Sequence, residues 1–219
     1  MNLSVIIPAL DANHLLPAAV ARLRGEPVAG IIIADGGTVP APAGLGDQVK
    51  VITGAPGRGV QLKAGAELAA GDWLLFLHAD TRLGEGWRDA VLAHVRRHPD
   101  KGAFFRFALD DASPAARRLE RIVDVRCRLL GLPYGDQGLL ISRSLYEAVG
   151  GFRPIPLMED VDIVRRIGRA RLRCIEVAAV TSAARYRREG YLRRMARNIV
   201  CLGLFYAGVS PGRIRKLYA

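Results

Sequence analysis

The chain has 219 residues, half of them hydrophobic and 24% charged, enough for one substantial core and too few for two. Basic residues outnumber acids 32 to 21, a formal charge of +11, and from Ser182 to Ala219 nine basic residues accompany a single acid, Glu189. That balance suits a phosphorylated ligand, acidic lipid or nucleic acid, or else a solvated basic surface. Three scattered cysteines, Cys127, Cys174 and Cys201, exclude a zinc site or disulfide framework and fit a reducing cytosol.

Leu3–Ala9 is an apolar run ending at a proline and predicts a first strand; a strand so early leaves no signal peptide, and the expected location is cytoplasmic. Asp11 and Asn13 precede a helical pattern carrying Leu15, Leu16, Ala19, Val20 and Leu23 on one face. Gly30–Gly37 predicts a second buried strand that stops at Asp35 and two glycines. A Pro- and Gly-rich loop follows, then a short strand at Val49–Thr53. Gly57-Arg58-Gly59 turns into a helix expected over Val60–Ala70.

Gly71–Leu77 has no polar alternation and predicts a strand covered by helices on both faces. It ends in His78-Ala79-Asp80-Thr81, where an open α/β sheet places its chemistry. A helix follows from Gly86 to His98. In the second half, Gly102–Ala108 and Leu139–Ser142 predict strands, and Ser113-Pro114 opens a helix running to Gly131. Tyr134–Gly138 is a polar turn, and Glu159-Asp160-Val161-Asp162 heads a further helix. From Gly190 onward, Leu192, Met195, Ile199, Leu202 and Phe205 recur at helical spacing beside Arg193, Arg194 and Arg197. The apolar piece is too short to span a bilayer; it packs on its own domain or a second subunit, or lies beside anionic lipid. The order predicts an α/β domain, a three-layer α/β/α arrangement around a mostly parallel sheet with a helical C-terminal segment.

Three acids, Asp11, Asp35 and Asp80, would gather on one sheet edge if their strands are parallel neighbours. Asp35 before two glycines suits a ribose or base edge. Arg58 at a helix start suits a phosphate. Asp80 suits a divalent metal held against a phosphorylated ligand, since hard cations take oxygen ligands. The acids at 159, 160 and 162 either serve the helix dipole or supply a general base.

Taken in order, Ser4-Val5-Ile6-Ile7-Pro8, Asp35-Gly36-Gly37-Thr38, Gly57-Arg58-Gly59, Gly71–Asp80, Gly150-Gly151-Phe152 and Met158-Glu159-Asp160 resemble the family 2 glycosyltransferases of GT-A fold. His78-Ala79-Asp80-Thr81 with the arginine-rich tail is similar to a bacterial subgroup associated with selenodomain or arsenosugar gene clusters. The resemblance implies one domain over 1–219, with a nucleotide-binding half (1–98), an acceptor-side half (99–180) and a basic amphipathic segment (181–219). It implies an inverting, metal-dependent transfer of sugar from a nucleoside-diphosphate donor, UDP favoured, to an acceptor hydroxyl. Pro8, Asp11, Asp35, Arg58 and Lys63 would contact the nucleotide, although relatives often carry asparagine at the last position. Asp80 would hold the metal, Mn²⁺ or Mg²⁺, with His78, which stands where relatives carry another acid, as a second ligand. Asp160 would be the base, supported by Glu159, and Gly135, Asp136 and Gln137 would meet the acceptor. Arg185, Arg187 and Arg188 would reach the diphosphate. A nucleotidyltransferase would want a Gly-rich loop after the first strand, where Pro8-Ala9 stands. A nucleic-acid module would want aromatics among the arginines, yet aromatics make up only 6% of the chain; no nucleic-acid partner is expected. Homo-oligomerisation and peripheral membrane contact are both compatible with the tail.

Overall fold

The computed structural model describes residues 1–25 and 27–218. One eight-stranded sheet runs through it in the order β3-β2-β1-β4-β7-β6-β8-β5. The strands are β1 (Leu3–Ala9), β2 (Val28–Asp35), β3 (Val49–Thr53), β4 (Trp73–Phe76), β5 (Arg82–Leu83), β6 (Gly102–Leu109), β7 (Leu139–Ser142) and β8 (Leu172–Thr181). β1 pairs in parallel with β2 and β4, and β2 with β3. β7 is antiparallel to both β4 and β6, and β6 runs parallel to β8. The sheet is therefore mixed and mostly parallel, as expected, and the C-terminal ends of β2, β1 and β4 lie side by side.

Alternate residues of the central strands feed two cores because successive side chains point to opposite faces. Val5, Ile7, Ile31, Ile33 and Leu75 pack against α1 (Leu16–Leu23) and α3 (Trp87–Arg97). Ile6, Ile32, Leu74 and Phe76 pack against α2 (Arg58–Leu68), α4 (Pro114–Leu130), α5 (Arg143–Ala148) and α6 (Glu159–Ile167). Each fully buried aliphatic side chain here contributes roughly 1.5–3 kcal/mol. Pro8 interrupts no ladder bond. The Ile6 carbonyl accepts from Leu77 on the β4 side, and two residues on, the Pro8 nitrogen faces that side after β4 has ended at Phe76.

Several elements depart from expectation. α2 begins at Arg58 rather than Val60, since Gly57, at φ 139°, makes the turn one step earlier. β5 and the ten-residue β8 appear where no strand was read. The C-terminal segment folds into α7 (Ala184–Glu189), α8 (Tyr191–Tyr206) and α9 (Pro211–Tyr218). α8 packs on its own domain with Arg194 and Cys201 as its buried positions, while Leu192 and Ile199 of its apolar repeat stand 76% and 61% exposed. Among the described residues no helix is long and apolar enough to cross a membrane.

Candidate active site

A cleft of about 420 Å³ opens over the C-terminal ends of β1 and β4. Pro8, Arg58, His78, Asp80, Gly135, Asp136, Asp160 and Arg185 all line it, so acids from β4 and from α6 share one cavity.

The first wall is built from glycines and one glutamine. A β-carbon on Gly59 would lie 2.3 Å from the Arg153 carbonyl oxygen, so glycine alone lets α2 dock against the connector before α6. With Gly57 turning the chain and Gly59 making that approach, Arg58 is aimed at α6. Its Nε lies 2.9 Å from Glu159 Oε1, and Glu159 is 1% exposed. Gln61, one turn later, donates to the Ala9 carbonyl at 2.5 Å and the Ala34 carbonyl at 2.7 Å, fastening α2 to the ends of β1 and β2.

Asp35 is buried at the end of β2 and accepts a 2.9 Å hydrogen bond from the Gly37 amide on Oδ1. Its Oδ2 is buried without a partner among the described residues. A β-carbon on Gly37 would meet Asp35 Oδ1 at 3.1 Å and Asp11 Oδ1 at 3.2 Å, so the two carboxylates flank one glycine. Asp11 itself adopts φ 53° and is exposed. Neither acid lines the main cleft, which reaches Leu10 and Ala12 on either side of Asp11.

The three acids of the α6 head have separate partners. Glu159 pairs with Arg58. Asp162 pairs with Arg166 at 2.6 Å and Arg153 at 3.2 Å, away from the cleft. Asp160 faces the cavity, with Oδ2 accepting from the Gly135 amide at 2.8 Å and Oδ1 from the Val161 amide at 2.7 Å. Met158, the N-cap before them, has φ 66°, backbone strain of the kind that clusters at functional sites.

Burial pushes the Asp136 carboxyl up to about 6, with Arg126 opposing and Asp160 and Asp80 reinforcing the shift. Burial likewise drives His78 down to about 3, helped by the charges of Arg58 and Arg185. The imidazole is therefore neutral, with Nε2 3.5 Å from Arg58 Nη1. Burial raises Glu159 to about 7 despite Arg58. Asp136 Oδ1 is buried with no hydrogen-bond partner among the described residues.

Among the described residues no group of three or more His, Cys, Asp and Glu side chains is arranged to hold a metal ion. The donor set that is present, Asp80 with the unpartnered Asp136 Oδ1, fits a hard cation completed by ligand oxygens, the habit of Mg²⁺ at phosphates. His78 Nε2 points instead toward a guanidinium.

Other expected residues lie elsewhere. Lys63 is on the outside of α2, 3.9 Å from Glu67. Gln137 is buried behind the cleft, donating to the Phe105 carbonyl at 3.1 Å and accepting from Arg126 at 3.2 Å, so it holds the 135–137 turn in place. Arg187 approaches Asp110 at 3.6 Å and Asp111 at 3.9 Å, and Arg188 lies 3.3 Å from Glu189. Of these three arginines only Arg185 lines the cleft.

The sequence reading missed the opposite wall. Tyr134, Tyr186, Arg194, Asn198 and Tyr218 line it. Arg194, 7% exposed, donates to Glu189 at 3.1 Å and to the Tyr218 hydroxyl at 3.0 Å. Arg194 and Asn198 stand four apart on α8, a spacing that marks one helical face.

The model of the family described as "Glycosyl transferase family 2" matches residues 4–156. The chain belongs to glycosyl transferase family 2. The match stops short of the Glu159-Asp160 pair. Solved structures similar to this family 2 chain include residues 1–349 of S. aureus TarS, with a TM-score of 0.63 and 11% identity, over 100% of this chain and 70% of that one. The same TarS fragment in complex with UDP gives 0.60 and 12%, with coverage of 100% and 70%. Mannosyl-3-phosphoglycerate synthase from Rubrobacter xylanophilus gives 0.58 and 15%, over 95% of this chain and 76% of that one. At these identities the likeness shows the GT-A fold. A comparison with curated proteins returns no match.

Proposed function

We propose that this family 2 glycosyltransferase moves a sugar from a nucleoside-diphosphate donor, UDP favoured, to an acceptor hydroxyl, with inversion at the anomeric carbon. The observation that carries the reading is that Asp80 and Asp160, 80 positions apart in sequence, line one cleft. Asp35 Oδ2, a buried acceptor without a partner, calls for a donor such as a uracil N–H or a ribose hydroxyl. The TarS relative solved with UDP supports that choice of nucleotide.

Asp160 holds each oxygen with one backbone amide, which leaves further lone pairs for an incoming hydroxyl. It would take the acceptor proton as that oxygen attacks. Arg58, kept cationic by Glu159 and Asp160 against the cost of burial, and Arg185 would face the charge developing on the leaving diphosphate. Asp80, with Asp136, would hold a divalent Mn²⁺ or Mg²⁺ ion. Such an ion supplies charge neutralisation to the leaving group. The His78-Ala79-Asp80-Thr81 motif and the basic tail support placement in the subgroup resembling selenodomain- or arsenosugar-associated transferases.

Titration calorimetry with UDP and GDP, each with and without Mn²⁺, tests the donor side. UDP should bind more tightly than GDP, and Mn²⁺ should strengthen UDP binding by about tenfold or more in the native chain but not in Asp80→Ala. Metal-independent binding in both proteins removes Asp80 from the metal role.

A further inference from the structure

α8 has two unlike faces. Its inner side carries Arg194 and Asn198 into the cleft and Cys201 into the core. Its outer side presents Leu192, Ala196, Ile199, Val200, Gly203 and Tyr206, all exposed. At 3.6 residues per turn these positions form one continuous stripe along the whole helix. Such a stripe is unusual on a surface that water covers.

α4 touches α8, and the two contribute to the same core. The Tyr191 hydroxyl donates to Asp111 at 2.7 Å beside the start of α4. α4's own outer side exposes Ile122, Val125 and Leu129 at 48%, 53% and 63%, with Arg118 and Arg121 exposed among them. Neither of those arginines, nor Arg193 on α8, is ion-paired within the described residues. At the far end of α8, the Arg165 guanidinium sits 4.5 Å from the Tyr206 ring. Apolar side chains are thus bordered by cations and by an aromatic ring with a polar tip, the composition of an interfacial helix.

We propose that the outer faces of α4 and α8 dock on an anionic bilayer surface, with α8 lying in the plane of the membrane. Charge decides the occupant. A second copy brought onto this face would carry the same exposed arginines, Arg118, Arg121 and Arg193, and an isologous contact would set like charges opposite each other. An anionic leaflet complements them and accepts the apolar stripe as well. Docking would set the C-terminal wall of the cleft against the bilayer, since one helix forms both. The inference is independent of the chemistry in the cleft.

Co-sedimentation with vesicles tests it, using phosphatidylcholine alone and the same lipid with roughly a quarter phosphatidylglycerol. The native chain should pellet with the anionic vesicles and not with the neutral ones, and binding should fall at high salt. Leu192→Ser combined with Ile199→Ser should lower the bound fraction at least about fivefold while keeping the native melting temperature, because both side chains are exposed. Arg121→Glu with Arg193→Glu should do the same. No binding to anionic vesicles, equal binding to neutral ones, or unchanged binding by the serine variant overturns the proposal. So does a native dimer that the serine variant dissolves without any vesicle binding.

Discussion

Arg58 Nε lies 2.9 Å from Glu159 Oε1, joining the first turn of α2 to the first turn of α6. The contact ties the nucleotide-side half of the cleft to the helix that carries Asp160. Removing the arginine leaves a buried carboxylate without its cation, whereas removing both charges leaves a milder defect. Arg58→Met should therefore cost about 1–3 kcal/mol of stability, the lower end reflecting the partial exposure of the arginine. Arg58→Met with Glu159→Gln should recover part of that loss. Urea unfolding of the four proteins checks it; additive losses in the double variant would show that the pair is not coupled.

The stability profile with pH should carry opposing contributions. His78 is lowered from 6.5 to about 3 by burial, then by Arg58 and Arg185, so the folded state binds fewer protons than the unfolded one. Its effect is to reduce stability as pH falls below 6.5 toward 3. Glu159 is raised from 4.5 to about 7 and Asp136 from 3.8 to about 6, burial leading in both. Here the folded state binds more protons, and stability is lost as pH rises through those intervals. His78→Asn should flatten the acid limb by on the order of 1–3 kcal/mol between pH 6.5 and 4. Urea midpoints across that range read it directly. An acid limb as steep as that of the native chain would mean His78 protonates freely in the folded state.

The chain's own pattern revealed most of the first half and much less of the second. β1, β2, β3 and the Trp73 strand are short apolar runs cut by Pro, Gly or Asp, so their existence and order were legible. β8 was not, because Arg173, Cys174 and Glu176 interrupt it and only four of its ten residues are buried, a mixed surface without strict alternation. The inner face of α8 was hidden for a related reason. Hydrophobicity favours Leu192 and Ile199 as inner residues, yet the fold buries Arg194, which finds Glu189, Tyr218 and the ring of Tyr186. A buried cation whose partners lie on other helices, α7 and α9, leaves no signal in the periodicity of its own helix. The same holds for Gln61, whose carbonyl partners lie on β1 and β2.

That α8 wall gives a further test. Asn198 Oδ1 is buried in the cleft lining without a hydrogen-bond partner among the described residues. If the wall serves the acceptor, Asn198→Ala should leave UDP affinity unchanged and raise the KM of the hydroxyl acceptor that supports turnover, by about tenfold. Calorimetry gives the first quantity and initial rates the second. A matching loss of UDP affinity would move Asn198 to the donor side.

Asp160→Asn isolates the base. The amide keeps the size of the side chain and one oxygen to accept from Gly135 or Val161, but the other amide then faces an NH₂ group, a local cost of about 1 kcal/mol. Folding and UDP binding should survive that cost, since Asp160 makes no ion pair among the described residues and the Arg58–Glu159 contact is untouched. Transfer should fall by about 10²–10⁴, the range for loss of a positioned general base. The loss should appear in kcat more than in KM, because proton removal accompanies attack rather than binding. Rates measured with saturating UDP-sugar, beside calorimetry on the same preparation, separate the two. Native turnover in this variant would assign proton removal to another carboxylate, with Asp136 next in line because its Oδ1 has no other partner among the described residues.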